Sequence, residues 1–83
     1  MTQIWITFRS LTHAQRAASL LERSGITALV TRAPKGLSAW GCSYAVILRK
    51  RAREAEGILQ QARLPYGKLF ERLTNGEFRE VLT

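Results

Sequence analysis

Arg32-Ala33-Pro34-Lys35-Gly36-Leu37-Ser38-Ala39-Trp40-Gly41-Cys42-Ser43-Tyr44 lies between two apolar runs, Ile26 to Val30 before it and Tyr44 to Leu48 after it. Both runs have strand length and are rich in β-branched or aromatic residues. Pro34 fixes φ and removes a backbone donor, while Gly36 and Gly41 permit turn conformations. The stretch therefore reads as a structured loop between two strands. Cys42, the only cysteine, falls where that loop enters the second strand.

Upstream, Gln3 to Arg9 alternates: Ile4, Ile6 and Phe8 share one face, Trp5 and Thr7 the other. That is a strand with one strongly buried face, and Trp5 implies cover or a partner on the second. Ser10-Leu11-Thr12 opens a helix, with Thr12 and Gln15 at capping-box spacing. Ala14, Ala17, Ala18 and Leu21 form its buried stripe, with Leu20 beside them. Gly25 ends the helix as a left-handed residue, and Ile26 folds back as its hydrophobic contact. His13, in the first turn, reads as a surface residue, with a helper role near Cys42 as the alternative. Thr27 to Ala33 is then the second strand. Ser43 to Arg49 is the third, apolar on both faces and so central.

Downstream, Arg51 to Arg63 reads as a second helix that buries Ala52, Ala55, Ile58, Leu59 and Ala62. Gly57 weakens it by about 1 kcal/mol relative to Ala. Arg49, Lys50, Arg51 and Arg53 crowd its start, where the helix dipole is already positive; Glu54 and Glu56 offset part of this. The crowding reads either as a solvated face or, together with Arg32, as an anion-binding site. Pro65 and Gly67 end the helix. Gly67 to Leu73 reads as a fourth strand. Asn75-Gly76 is a two-residue hairpin signal that would pair Leu73 with Phe78 and Phe70 with Val81. It would also set Arg72 against Arg79 and Glu71 against Glu80, which is unfavourable. The rival is a short helix capped by Thr74 and Glu77.

The order β-α-β-β-α-β, with an extra C-terminal strand or short helix, predicts an α+β ferredoxin-like sandwich. Two helices pack on one face of an antiparallel sheet, in one domain spanning residues 1–83. The fold hosts many functions and identifies none of them.

Composition narrows the chemistry. One cysteine excludes an intramolecular disulfide framework and a multi-thiolate metal site within the chain. One histidine and no aspartate leave no Ser-His-Asp triad and no metal centre. No catalytic residue, cofactor or metal is expected. No apolar window reaches the roughly 20 residues of a membrane span. The N-terminus lacks a signal-peptide pattern, so a cytoplasmic location is the default. A net charge of +7, carried mostly by arginine, favours anionic partners or simply keeps a small domain soluble.

A lone thiol in such a domain is most often a packed apolar residue. Cys42 instead follows a glycine at a loop exit. Arg32, Lys35 and Arg49 are near in sequence and would stabilise a thiolate. Ser38 and Ser43 would donate hydrogen bonds to the sulfur or to a group attached to it. Such a site accepts sulfur or selenium as a persulfide-type adduct and passes it on by exchange. With no obvious general base, a carrier or binding protein fits better than a self-sufficient hydrolase.

Thr7-Phe8-Arg9-Ser10-Leu11-Thr12-His13-Ala14, the alanine-rich helix ending in Gly25-Ile26, and Pro34-Lys35-x-Leu37-Ser38 ahead of Cys42 together resemble the small selenium/sulfur carrier-like domains. The resemblance covers roughly Ile4 to Phe70. It implies Cys42 as the chalcogen acceptor, with Ser38 and Pro34 shaping the loop, and partners that are sulfur or selenium donor and acceptor proteins. Lys35 stands where the family pattern has arginine. Gly41 precedes the cysteine, where the pattern has a glycine after it, and Ser43 takes that following place.

Two other readings compete. A nucleic-acid-binding module would stack bases on Trp5, Phe8 and Tyr44, although Ser43 to Arg49 lacks the Lys/Arg-Gly-Phe pattern of an RNA-recognition strand. An oligomerising regulatory domain, as a homodimer, would use Trp5, Trp40 and the C-terminal strand.

Overall fold

The computed structural model describes residues 3–35, 37 and 43–81. The strands are β1 (Gln3–Phe8), β2 (Leu29–Arg32), β3 (Tyr44–Leu48), β4 (Leu69–Arg72) and β5 (Phe78–Glu80). The helices are α1 (Leu11–Arg23) and α2 (Ala52–Gln61). One five-stranded sheet has the order β2-β3-β1-β4-β5, and every pairing in it is antiparallel. This is the ferredoxin-like α+β arrangement with one strand added at the β4 edge.

The period-two pattern of the sequence sorts the two faces. Ile6, Phe8, Val46, Leu48 and Leu69 meet Ala14, Ala17, Leu21, Ala55 and Leu59 of the helices. The small alanines let α1 approach the sheet closely. The other face is covered as well: Trp5, Leu37, Ala45 and Phe70 form a second buried cluster, with Ala33, Ile47 and Phe78 packed against it. Leu37, inside the β2–β3 loop, is 1% exposed there. The Phe78 ring meets Trp5 edge-on, with centroids 5.1 Å apart. The Arg72 guanidinium lies 5.7 Å from the Trp5 ring centre and 5.3 Å from that of Phe78. Trp5 is thus covered from within the chain.

Helix ends differ from the sequence expectation in informative ways. Ser10, not Thr12, caps α1: its Oγ accepts from the His13 N–H at 3.1 Å. At the other end Gly25 adopts φ +83°. Its N–H donates to the Glu22 carbonyl, and Ile26 donates to Leu21, so the expected Gly-Ile cap forms as a Schellman motif. α2 ends in the same motif before Pro65 is reached. Arg63 N–H donates to Gln60 and Leu64 to Leu59, with Arg63 at φ 56° where glycine is usual. Ala62, expected in the buried stripe, is exposed.

The C-terminal hairpin forms, and the short-helix alternative does not. Its register is shifted by one residue from the expectation: Phe70 opposes Glu80, Glu71 opposes Arg79 and Arg72 opposes Phe78. The turn holds three residues. Gly76 N–H donates to the Leu73 carbonyl, Leu73 N–H donates to the Glu77 carbonyl, and Gly76 sits at φ 88°. The shift exchanges the Arg–Arg and Glu–Glu pairs of the two-residue turn for an ion pair between Arg79 and Glu71. It also turns Phe78 onto the Trp5 face.

Candidate functional site

The register defines the two ends of the sheet. At one end Phe8, Tyr44 and Arg32 lie in line across β1, β3 and β2. The β2–β3 loop leaves from this end, and its base is closed by the Ala33 N–H donating to the Ser43 carbonyl at 2.9 Å. Within the loop, Leu37 N–H donates to the Pro34 carbonyl at 2.9 Å, which closes a turn and lets Leu37 dip into the second cluster. Lys35 and Ser43 are exposed, and Pro34 is half-buried. Ser38, Gly41 and Cys42 lie outside the described residues, as does Trp40.

Arg9 and Ser43 leave the sheet on neighbouring strands, one step beyond the Phe8–Tyr44 pair. The first turn of α1, with His13, starts from the same end. So do Pro65, Gly67 and Lys68, which lead into β4. Thr7, Arg9, His13, Pro65, Tyr66, Gly67 and Lys68 enclose a cavity of about 510 Å³ here. Its inner wall is a bulge-like join of β1 to β4. The Thr7 N–H donates to the Lys68 carbonyl at 3.0 Å and the Gly67 N–H to the Thr7 carbonyl at 2.7 Å. The Thr7 hydroxyl accepts from the Lys68 N–H at 2.9 Å and donates to the Lys68 carbonyl at 3.2 Å. Thr7 is 2% exposed, and this pair of bonds is what allows its hydroxyl to be buried. Beside the cavity, the Tyr66 hydroxyl donates to Glu56 at 2.8 Å and accepts from the Gln60 amide at 3.0 Å. Burial and the hydrogen bond to Glu56 push the Tyr66 phenol above its ordinary range.

The other end of the sheet holds the second basic cluster. Six strand steps of roughly 3.4 Å separate Ser43 from Arg49, a distance of about 20 Å. Arg49 therefore stands far from Ser43 at the base of the β2–β3 loop, and Arg32, opposite Tyr44, is not gathered with Arg49, Lys50, Arg51 and Arg53. Arg51 has an intramolecular task. It precedes α2 in the left-handed region, at φ 65°. Its Nε donates to Glu54 at 2.9 Å, and its Nη1 donates to the Gly25 carbonyl at 3.2 Å. One guanidinium thus ties the end of α1 to the start of α2. The same contact lowers the Glu54 carboxyl below its ordinary range.

The platform expected on Trp5, Phe8 and Tyr44 for base stacking is not presented. Trp5 is 6% exposed and Phe8 fully buried, and Tyr44 packs against the helix-side core. Trp5 is equally unavailable for a dimer interface. Among the described residues no cluster of His, Cys, Asp or Glu is suited to a metal ion. No helix among them is long and apolar enough to cross a membrane.

The model of the family described as "Putative Se/S carrier protein-like" matches residues 3–71. The chain belongs to that family. The match runs from β1 into β4, ending at Glu71, and includes the β2–β3 loop, whereas β5 lies beyond it. No curated protein and no solved structure matches the chain significantly.

Sequence reading missed the cationic residues that the topology gathers near the loop end, Arg9 above all. The signal was present in principle. Once β1 and β3 are paired antiparallel with Phe8 opposite Tyr44, the residue after Phe8 sits beside the residue before Tyr44.

Proposed function

We propose that this Se/S carrier-like domain holds one sulfur or selenium atom on Cys42 and hands it on by exchange. The Cys42 thiolate attacks the outer sulfur of a donor persulfide. The donor S–S bond breaks, the donor thiolate leaves with the electron pair, and Cys42 retains a persulfide. An acceptor thiolate then attacks the outer sulfur, and Cys42 leaves as thiolate. The exchange has no net oxidation and uses no metal. A donor carrying selenium in the outer position reacts in the same way.

The family match across the loop is the observation that carries this reading. The positions of Arg9 and Arg32 at the loop end support it, because cations there favour an anionic thiolate and its anionic persulfide. Pro34, Lys35, Ser38, Gly41 and Ser43 act as loop residues that set the approach to Cys42.

The test is intact-mass measurement after incubation with a cysteine desulfurase and cysteine, or with a donor that carries selenium as the outer atom of a selenopersulfide. One added chalcogen per chain, absent in Cys42→Ser and removed by a thiol acceptor, is the expected result. An unmodified wild type, or an adduct that survives in Cys42→Ser, overturns the proposal. So does an alkylation profile with an apparent thiol pKa at or above the ordinary ~8.5.

A further inference from the structure

A second cavity, of about 660 Å³, runs along the solvent side of α1 and is closed by the end of α2. Leu20, Leu64 and Pro65 supply apolar surface, while Arg16, Arg23 and Arg63 stand around it. It shares His13 and Pro65 with the loop-end cavity, so the two adjoin, and Arg9 and Lys68 line the neighbouring one. No acidic side chain lines either part. Of the six glutamates, Glu54 is engaged with Arg51, Glu71 with Arg79, Glu80 with Lys68, Glu56 with Tyr66 and Glu77 with Asn75, while Glu22, exposed on α1, lines neither part. Among the described residues no ion pair involves Arg9, Arg16, Arg23 or Arg63.

We infer that this groove docks an acidic segment of a partner protein, one that carries apolar side chains among its carboxylates. Arginine forks match carboxylates bidentately, which accounts for the rim. The apolar floor matches side chains that a sugar-phosphate backbone does not bring. A single-stranded nucleic acid would instead need exposed rings for its bases, and Trp5 and Phe8 are both buried. Thr12 to Arg23 spans roughly 16 Å of helix, long enough for a partner helix of about three turns. The groove opens at the same end of the sheet as the loop that carries Cys42, so a partner seated in it is delivered towards that loop.

The probe is a fluorescein-labelled peptide of about a dozen residues, mostly Glu with Leu at helical spacing, followed by anisotropy at low and moderate salt. Wild type binds it. Arg16→Glu/Arg23→Glu/Arg63→Glu weakens binding at least tenfold. Arg49→Glu/Lys50→Glu/Arg53→Glu, which removes the same charge at the far end, changes it less than twofold. Replacing the Leu residues of the peptide by Ser weakens binding to wild type. Amide NMR shifts on adding peptide to wild type fall on Thr12 to Arg23 and Ala62 to Pro65, a readout that needs no variant to fold. Cys42→Ser binds as wild type does, so failed docking and failed sulfur transfer are separate results. Equal weakening by both triple variants, no binding, or tighter binding of a single-stranded RNA of the same charge overturns the inference.

Discussion

Leu37→Ala removes the side chain that fastens the β2–β3 loop to the sheet. Leu37 is 1% exposed and packs with Trp5, Ala45 and Phe70. The change deletes the equivalent of about three methylene-sized groups, a transfer cost near 2.4 kcal/mol at roughly 0.8 each. A rigid core would add a cavity cost and bring the total towards about 4 or 5 kcal/mol. Here one wall of the site is a loop that can settle inward, so the expected loss is about 2 to 3 kcal/mol. A domain of this size holds on the order of 4 to 12 kcal/mol in total, so the loss is a large fraction of it. Guanidinium denaturation followed by far-UV circular dichroism measures it as a fall in the midpoint with unchanged slope. Leu37→Met, which keeps the volume, should cost less than about 1.5 kcal/mol. A loss below about 0.5 kcal/mol in Leu37→Ala refutes the anchoring, because a side chain that costs so little to remove is not packed on Trp5. The same variant should speed alkylation at Cys42 if the anchor restrains the loop.

Thr7→Val keeps the shape and leaves the Lys68 N–H without its acceptor, so it should cost about 1 to 3 kcal/mol and accelerate hydrogen exchange at the Lys68 amide. Arg63→Gly relieves a left-handed arginine and should gain about 0.5 to 1 kcal/mol, whereas Gly25→Ala should lose about 1 kcal/mol or more in thermal unfolding. An added Cβ at Gly57 meets nothing within 4 Å, so Gly57→Ala should stabilise α2 by about 0.5 to 1 kcal/mol. The Tyr66 phenol should titrate above the ordinary value of about 10, and Glu56→Gln should bring it down. Because the folded state raises this pKa, the associated stability is complete below the unfolded value and is lost as pH rises through the folded one.

Much of this fold is legible in the chain because burial imposes a period. Alternation along β1 and β3 assigns Ile6 and Val46 to one face and Trp5 and Ala45 to the other, and the Gly25-Ile26 pair marks a helix end for a steric reason. The hairpin register is not legible in the same way. Asn75-Gly76 fits a two-residue turn and also the last two places of a three-residue one, and a single residue decides which side chains share a face. The end of α2 is hidden because arginine is not a residue that sterics favour at a left-handed position; Leu64, as the apolar contact of that cap, is the clue. The candidate site is scattered for a different reason. Arg16 and Arg23 share a face of α1 by their seven-residue spacing, but Arg9 and Arg63 come from other elements, and only strand order and helix direction bring all four to one side.

The added strand β5 changes what the sheet offers to its neighbours in a crowded solution. Without it, β4 would present Leu69 and Phe70 on an open border next to the most hydrophobic part of the sheet. With it, the border is three residues long, and Arg79 and Glu80 stand exposed along it. Short, charged borders are poor templates for strand-by-strand growth, so this side of the molecule resists fibre-like association. The opposite border, β2, keeps Leu29 63% exposed and is where self-association on ageing or concentration should begin.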